Sequence, residues 1–220
     1  MTPISDDILP AEIRLALAHT PRAYREALTI FFDFDLRLGR ILSGTTEPML
    51  GQMRLAWWRE TLMRPVEERP SGDVVLDAIG KHWVGRETAL IALVDCWEEL
   101  LAEPPLGEDH ARRFAQGRSR AMAAAFGHQG GVRGASGVAA SAELWAIADL
   151  ATSVSGPDER EMLVTVGLSG ADRVEKLSAP YKGVAILGAL ALRSLEKGGR
   201  PLMEGRGASI TALRAAIFGR

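Results

Sequence analysis

Apolar residues at Tyr24, Leu28, Phe31, Phe34, Leu38 and Leu42 recur at three- and four-residue steps, which predicts a long helix with one buried stripe. Thr20 and Pro21 provide its N-cap and first-turn proline, and Gly44 closes it. Thr46, Glu47 and Pro48 repeat that start. From there Met49, Met53, Ala56, Trp57 and Leu62 carry a second, strongly amphipathic helix to a stop at Pro65. After a polar turn at 67–72, two helices are expected at 74–83 and 87–102, broken near Gly85 and ended by Pro104 and Pro105. Helical spacing continues over 108–126, then at about 138–154, 158–171, 181–197 and 207–218. A glycine-rich loop at 127–137, Gly156 and Pro157, Pro180 and the 198–207 segment punctuate it. No alternating strand pattern bounded by hairpin turns occurs. The expected fold class is all-α, a single-domain bundle of about eight to nine helices over residues 1–220.

Composition narrows the function more than the fold. The chain has 220 residues, 47% hydrophobic and 25% charged, enough for a sizeable core. With 26 basic against 28 acidic side chains, bulk nucleic-acid binding is not expected. A single cysteine, Cys96, makes no internal disulfide and fits a reducing compartment. His19, His82, His110 and His128 stand at no metal-ligand spacing. The opening residues are acidic where a secretory signal is basic, and no apolar run approaches the roughly 18 residues of a membrane span. The expectation is a cytoplasmic protein, or one peripheral on the inner face of a membrane. The last forty residues hold seven basic and two acidic side chains, which suits an anionic membrane surface or an acidic partner.

Several residues invite chemistry. Asp33 and Asp35 lie in the first long helix, but residues two apart point about 200° from each other and cannot grip one ion together. Asp33 is expected to form an exposed pair with Arg37, four residues on. Asp35 shares the face of Leu28, Phe31, Leu38 and Leu42, so either the core or a cavity receives it. On the second helix, Arg54, Trp57, Trp58 and Arg59 suit an anion beside an apolar chain; the plainer alternative has Trp57 in the core and Arg59 solvated. The loop at 127–137 lacks the lysine and following serine or threonine of a phosphate cradle. Arg112, Arg113, Arg118 and Arg120 read as a solvated helix face, with anion binding as the second reading, and Cys96 as a small core residue.

The two N-terminal helices together resemble the squalene/phytoene synthase family. The resemblance rests on Pro21-x-x-x-Arg25, on Leu28 to Leu36, and on Glu47-Pro48-Met-Leu-Gly-Gln-Met-Arg-Leu-Ala-Trp-Trp-Arg-Glu-Thr-Leu62. Downstream, Leu93 to Leu100, Phe114-Ala-Gln-Gly-Arg118 and Glu143 to Leu150 fall in the family's order. The resemblance implies a bundle of the isoprenoid synthase type around a deep apolar cavity, where two aspartate-rich motifs hold Mg2+ and bind prenyl diphosphates. Carboxylates and metal ions stabilise a diphosphate as it leaves.

The sequence departs from that pattern at the motifs themselves. The first aspartate motif would fall near Gly39 to Ser43, where the chain reads Gly-Arg-Ile-Leu-Ser, and Arg40 in such a cavity would repel the metal. At the second, Asp149 stands without a carboxylate four residues later. Set against the synthases it resembles, the chain is also expected to lack a closing helix, as a C-terminally truncated domain would. The chain is more similar to a degenerate branch of the family that includes a mitochondrial factor needed for assembly of respiratory complex I.

The first expectation is thus a non-catalytic protein binding a prenyl-type lipid or a protein partner, with no catalytic residue, metal ligand or cofactor. Its pocket would involve Phe31, Phe34, Asp35, Arg54, Trp57, Trp58 and Asp149. The alternative is an active prenyl-diphosphate transferase with Mg2+ and atypical ligands, and a third reading is a membrane adaptor using the basic C-terminal segment.

Overall fold

The computed structural model describes residues 9–45, 47–127 and 132–219. Among them are ten α-helices and no strand: α1 (Ala11–Ala18), α2 (Arg22–Ser43), α3 (Pro48–Met63), α4 (Val74–His82), α5 (Glu87–Glu98), α6 (Glu108–Ala124), α7 (Val132–Ser153), α8 (Pro157–Ser169), α9 (Lys182–Glu196) and α10 (Gly207–Phe218). The all-α expectation holds, with α1 added. That helix has only eight residues and a weak apolar stripe, so periodicity gives it little signal. The predicted helix over 87–102 ends as a 3-10 turn at Glu99–Leu101. The predicted loop at 127–137 is shorter than expected, because α7 begins at Val132; residues 128–131, His128 included, lie outside the described residues.

Helices α3, α5, α6, α7, α9 and α10 each pack on the next, and α2 lies against α3, α4, α5 and α6. Every residue of α2 from Ala27 to Asp35 is buried. The predicted stripe is right in placing Leu28, Phe31, Phe34 and Leu38 in the core, but Ile30 and Phe32 on the other side are buried too. The expected exposed pair of Asp33 and Arg37 is overturned: Asp33 is fully buried, and the Arg37 guanidinium donates to Asp73 at 2.9 Å. With apolar residues on both sides of this stretch, the fold encloses the middle of the helix from Ala27 to Asp35.

Helix α3 corrects the periodicity reading in another way. Its buried residues are Gly51, Leu55, Trp58, Thr61 and Leu62, whereas Met49, Met53 and Trp57, from the predicted stripe, are exposed. This helix is apolar on opposite sides, so spacing alone could not choose the buried one. Trp58 reaches the core, edge-on to Phe34 with ring centroids 4.9 Å apart.

Asp73 starts α4 and ties it to α2. Its carboxylate accepts from the backbone N–H groups of Val75 and Leu76, both at 3.0 Å, and from Arg37. Burial works to raise its pKa, but these hydrogen bonds and the Arg37 charge outweigh it and hold the carboxyl below its ordinary value of 3.8. The cap's contribution is therefore complete above pH 3.8 and is lost as pH falls through the lowered value. Asp73→Ala is expected to cost about 1 kcal/mol at pH 7 in urea unfolding. The difference between variant and wild type should shrink as pH falls below 3.8 through the lowered value.

Candidate functional site

Helix α6 positions the central polar group of the fold. At about 100° per residue, Arg112, Arg113 and Arg120 fall on one side, while Arg118 falls about 120° or more away among Ala111, Phe114, Ala115 and Met122. Those four are buried, and so is Arg118, with 3% of its side chain exposed. The solvated-face reading is thus corrected for Arg118. Its place on the apolar side of the wheel was the available signal.

Gly117 brings α6 close enough to α5 for this. A Cβ at that position would fall on the Cys96 Cβ and lie 2.8 Å from its Sγ and 2.9 Å from the Ala92 carbonyl oxygen. Only the absent side chain allows the two helices to meet there. Cys96 is buried as expected, and burial pushes its thiol well above the ordinary range.

Three helices converge on the Arg118 guanidinium. Its Nε and Nη2 donate to Oδ1 and Oδ2 of Asp35 on α2, at 3.1 and 2.5 Å, and Nη1 donates to Asp149 Oδ2 on α7 at 2.8 Å. The Trp97 indole on α5 donates a further bond to Asp35 Oδ1 at 2.8 Å. Aromatic rings enclose the cation: its Cζ lies 4.0 Å from the ring centroid of Trp145, 5.1 Å from Phe114 and 5.5 Å from Trp97. A bidentate fork, a second carboxylate and ring faces together replace the water that burial removes.

The electrostatics follow from this enclosure. Burial disfavours the charged guanidinium, but Asp35 and Asp149 outweigh that, so Arg118 holds its proton more tightly than an ordinary arginine. Burial likewise pushes the Asp35 carboxyl up, opposed by Arg118 and Trp97. The ionised pair is the better description, because both Asp35 oxygens accept donors at bonding distance. Nearby, Glu12 on α1 is raised by burial and, to a smaller degree, by Asp149.

The seven pocket residues expected from sequence separate into three groups. Phe31 and Phe34 are wholly buried; Phe31 packs on Phe32 at 5.0 Å, and Phe32 in turn on Trp145 at 5.6 Å. Asp35 and Asp149 meet through Arg118. Trp58 lies inside, Trp57 is 44% exposed, and the exposed Arg54 donates to Thr45 Oγ1 at 3.3 Å. Arg59, which the plainer alternative left solvated, binds Asp95 at 2.7 Å and Glu98 at 2.5 Å and so joins α3 to α5. Arg40 stands exposed near the end of α2, and the cation that meets Asp35 and Asp149 is Arg118.

The Mg2+ that the synthase alternative requires does not fit this donor set. Both Asp35 oxygens are engaged, and a divalent ion at the pair would meet a fixed guanidinium. Among the described residues, no group of three or more His, Cys, Asp or Glu side chains is placed to hold a metal.

A second feature is a cleft of about 390 Å³ where α7, α9 and α10 meet. Ala185, Ala189, Leu192 and Val174 give it apolar walls, with Arg193, Arg214, Glu175 and Glu196 also lining it. Its size is at the lower end of small-molecule sites. No described helix is long and apolar enough to cross a membrane. Comparisons with protein-family models, curated proteins and solved structures give no match.

Proposed function

We propose that this chain is a non-catalytic protein of squalene/phytoene synthase type, which acts by binding a prenyl-type lipid or a protein partner. The observation that carries the reading is Arg118, whose guanidinium bridges Asp35 and Asp149. In the synthases this resembles, carboxylates on facing helices serve metal ions. Here a side chain of the protein itself supplies the positive charge, and it does so permanently. Diphosphate departure needs mobile or free positive charge directed at the leaving group, and the charge of Arg118 is already spent on two carboxylates.

The cleft beside α9 is the place for a prenyl-type chain, with Arg193 and Arg214 near any anionic end. The setting suggested by the degenerate branch is respiratory-complex assembly, in a cytoplasmic or inner-membrane-peripheral location. The test is incubation of the purified chain with Mg2+ and farnesyl or geranylgeranyl diphosphate, with diphosphate release as the readout. Release should not exceed a heat-treated control. Release above it that disappears in Asp149→Ala overturns the non-catalytic reading in favour of the transferase alternative.

A further inference from the structure

Helix α10 turns its small side chains inward and its large ones outward. Ala208, Ala212, Ala215 and Ala216 are buried and the helix packs on α9, whereas Ile210, Leu213, Ile217 and Phe218 are 62%, 62%, 57% and 56% exposed. A helix serving only the core would place these the other way round. At about 100° per residue, Ile210, Leu213 and Ile217 fall within about 60° of one another and form a continuous ridge. Phe218 extends its C-terminal end, Arg214 flanks it, and the exposed Arg206 precedes its first turn.

Charge distinguishes this surface from the other exposed apolar face, on α3. Around Met49, Met53 and Trp57 the exposed charges are of both signs, Glu47, Arg54, Glu60 and Arg64, and they select no partner. From residue 205 to the end of the chain there is no acidic side chain, while Arg206, Arg214 and Arg220 are basic; Arg220 lies outside the described residues. Four side chains on one helix also present only roughly half of the ~800 Å² per partner that a stable protein pair buries. A membrane interface needs no shape match, only apolar depth and anionic headgroups.

We propose that α10 is a membrane-surface helix, which sets Ile210, Leu213, Ile217 and Phe218 into the headgroup boundary of an anionic bilayer while Arg206 and Arg214 pair with lipid phosphates. This inference shares Arg214 with the cleft proposed for a prenyl-type chain, but the ridge of Ile210, Leu213 and Ile217 lies outside that cleft and belongs to it alone.

Flotation of the full chain with phosphatidylcholine vesicles, with and without 30 mol% phosphatidylglycerol, tests it. Binding to the anionic vesicles is expected to be at least tenfold stronger and to weaken as salt is raised. Ile210→Asn, Leu213→Asn and Ile217→Asn combined should lower it tenfold or more, and Arg206→Gln with Arg214→Gln about threefold to tenfold. All five positions are exposed, so far-UV circular dichroism should match wild type. Where the triple variant does not fold, an environment-sensitive dye on Ile217→Cys gives the second readout, since Cys96 is buried and leaves residue 217 as the reactive site. A blue shift with anionic vesicles is expected. Absence of vesicle binding, an unshifted dye, ridge variants that bind like wild type, or a ridge that instead governs self-association in sedimentation each overturn the proposal.

Discussion

Arg118→Met is expected to destabilise the protein by about 3–5 kcal/mol, the cost of leaving a buried charge without its partner. In a chain of this size, that lowers the melting temperature by about 6–20 °C. The variant should also acquire a pH dependence. Without Arg118, burial acts on Asp35 opposed only by Trp97, so the folded carboxyl titrates further above its ordinary value of 3.8. Between that value and the raised one, the folded state binds the extra proton, so stability falls as pH rises, with a slope approaching about 1.4 kcal/mol per pH unit. The Asp35 contribution is greatest below pH 3.8 and is lost toward neutrality, the reverse of the Asp73 cap. Combining Arg118→Met with Asp35→Leu removes both charges from the interior and should return most of the loss. Urea unfolding of wild type, single and double variants at pH 4.5 and 7.5 measures all of this. Equal stability of the single variant at the two pH values would show that Asp35 does not depend on Arg118.

The second large effect is expected at Gly117. In an open helix position, glycine to alanine stabilises by up to about 1 kcal/mol through helix propensity. Here the new Cβ would fall on the Cys96 Cβ and crowd the Ala92 carbonyl oxygen at 2.9 Å, and backbone does not yield as a flexible side chain does. Gly117→Ala is therefore expected to cost about 2–4 kcal/mol, at or beyond the upper end of ordinary overpacking. Cys96→Gly in the same chain should restore part of the loss, because the contact with Ala92 remains. A stabilised Gly117→Ala in thermal unfolding would mean that α5 and α6 do not approach as closely as described.

The helices were legible wherever the chain marks its own boundaries. Pro21, Gly44, Pro48, Pro65 and Pro157 bracket elements whose ends lie within a residue or two of expectation. What could not be read was which side faces in when both sides are apolar. On α3 Met49, Met53 and Trp57 of the expected series are exposed, and of that series Leu62 alone joins Leu55 and Trp58 in the core. On α2 the question had no single answer, since Ala27 to Asp35 are buried all round.

The candidate site was half legible. Asp35 stood out as a carboxylate on an apolar face, and Asp149 as the lone aspartate where the family resemblance expects a second motif, but their common partner was hidden among four arginines in nine residues. A wheel drawn for α6 separates Arg118 from the other three, because position on the apolar side matters more than the basic character of the segment. Trp97 and Trp145 were beyond any local pattern. They reach Arg118 from α5 and α7, and only the packing of those helices brings them there.

The Asp35, Arg118 and Asp149 connection also has a kinetic meaning. Its bonds join residues 83 and 31 positions apart in the chain. Contacts of such separation form only after the intervening helices have been gathered, since the loop entropy is lost before the bond is gained. The network thus acts as a late latch that slows the opening of a bundle already assembled, rather than as a seed from which it grows. Its energy belongs mainly to the barrier against unfolding, and so to how long the native state lasts once reached.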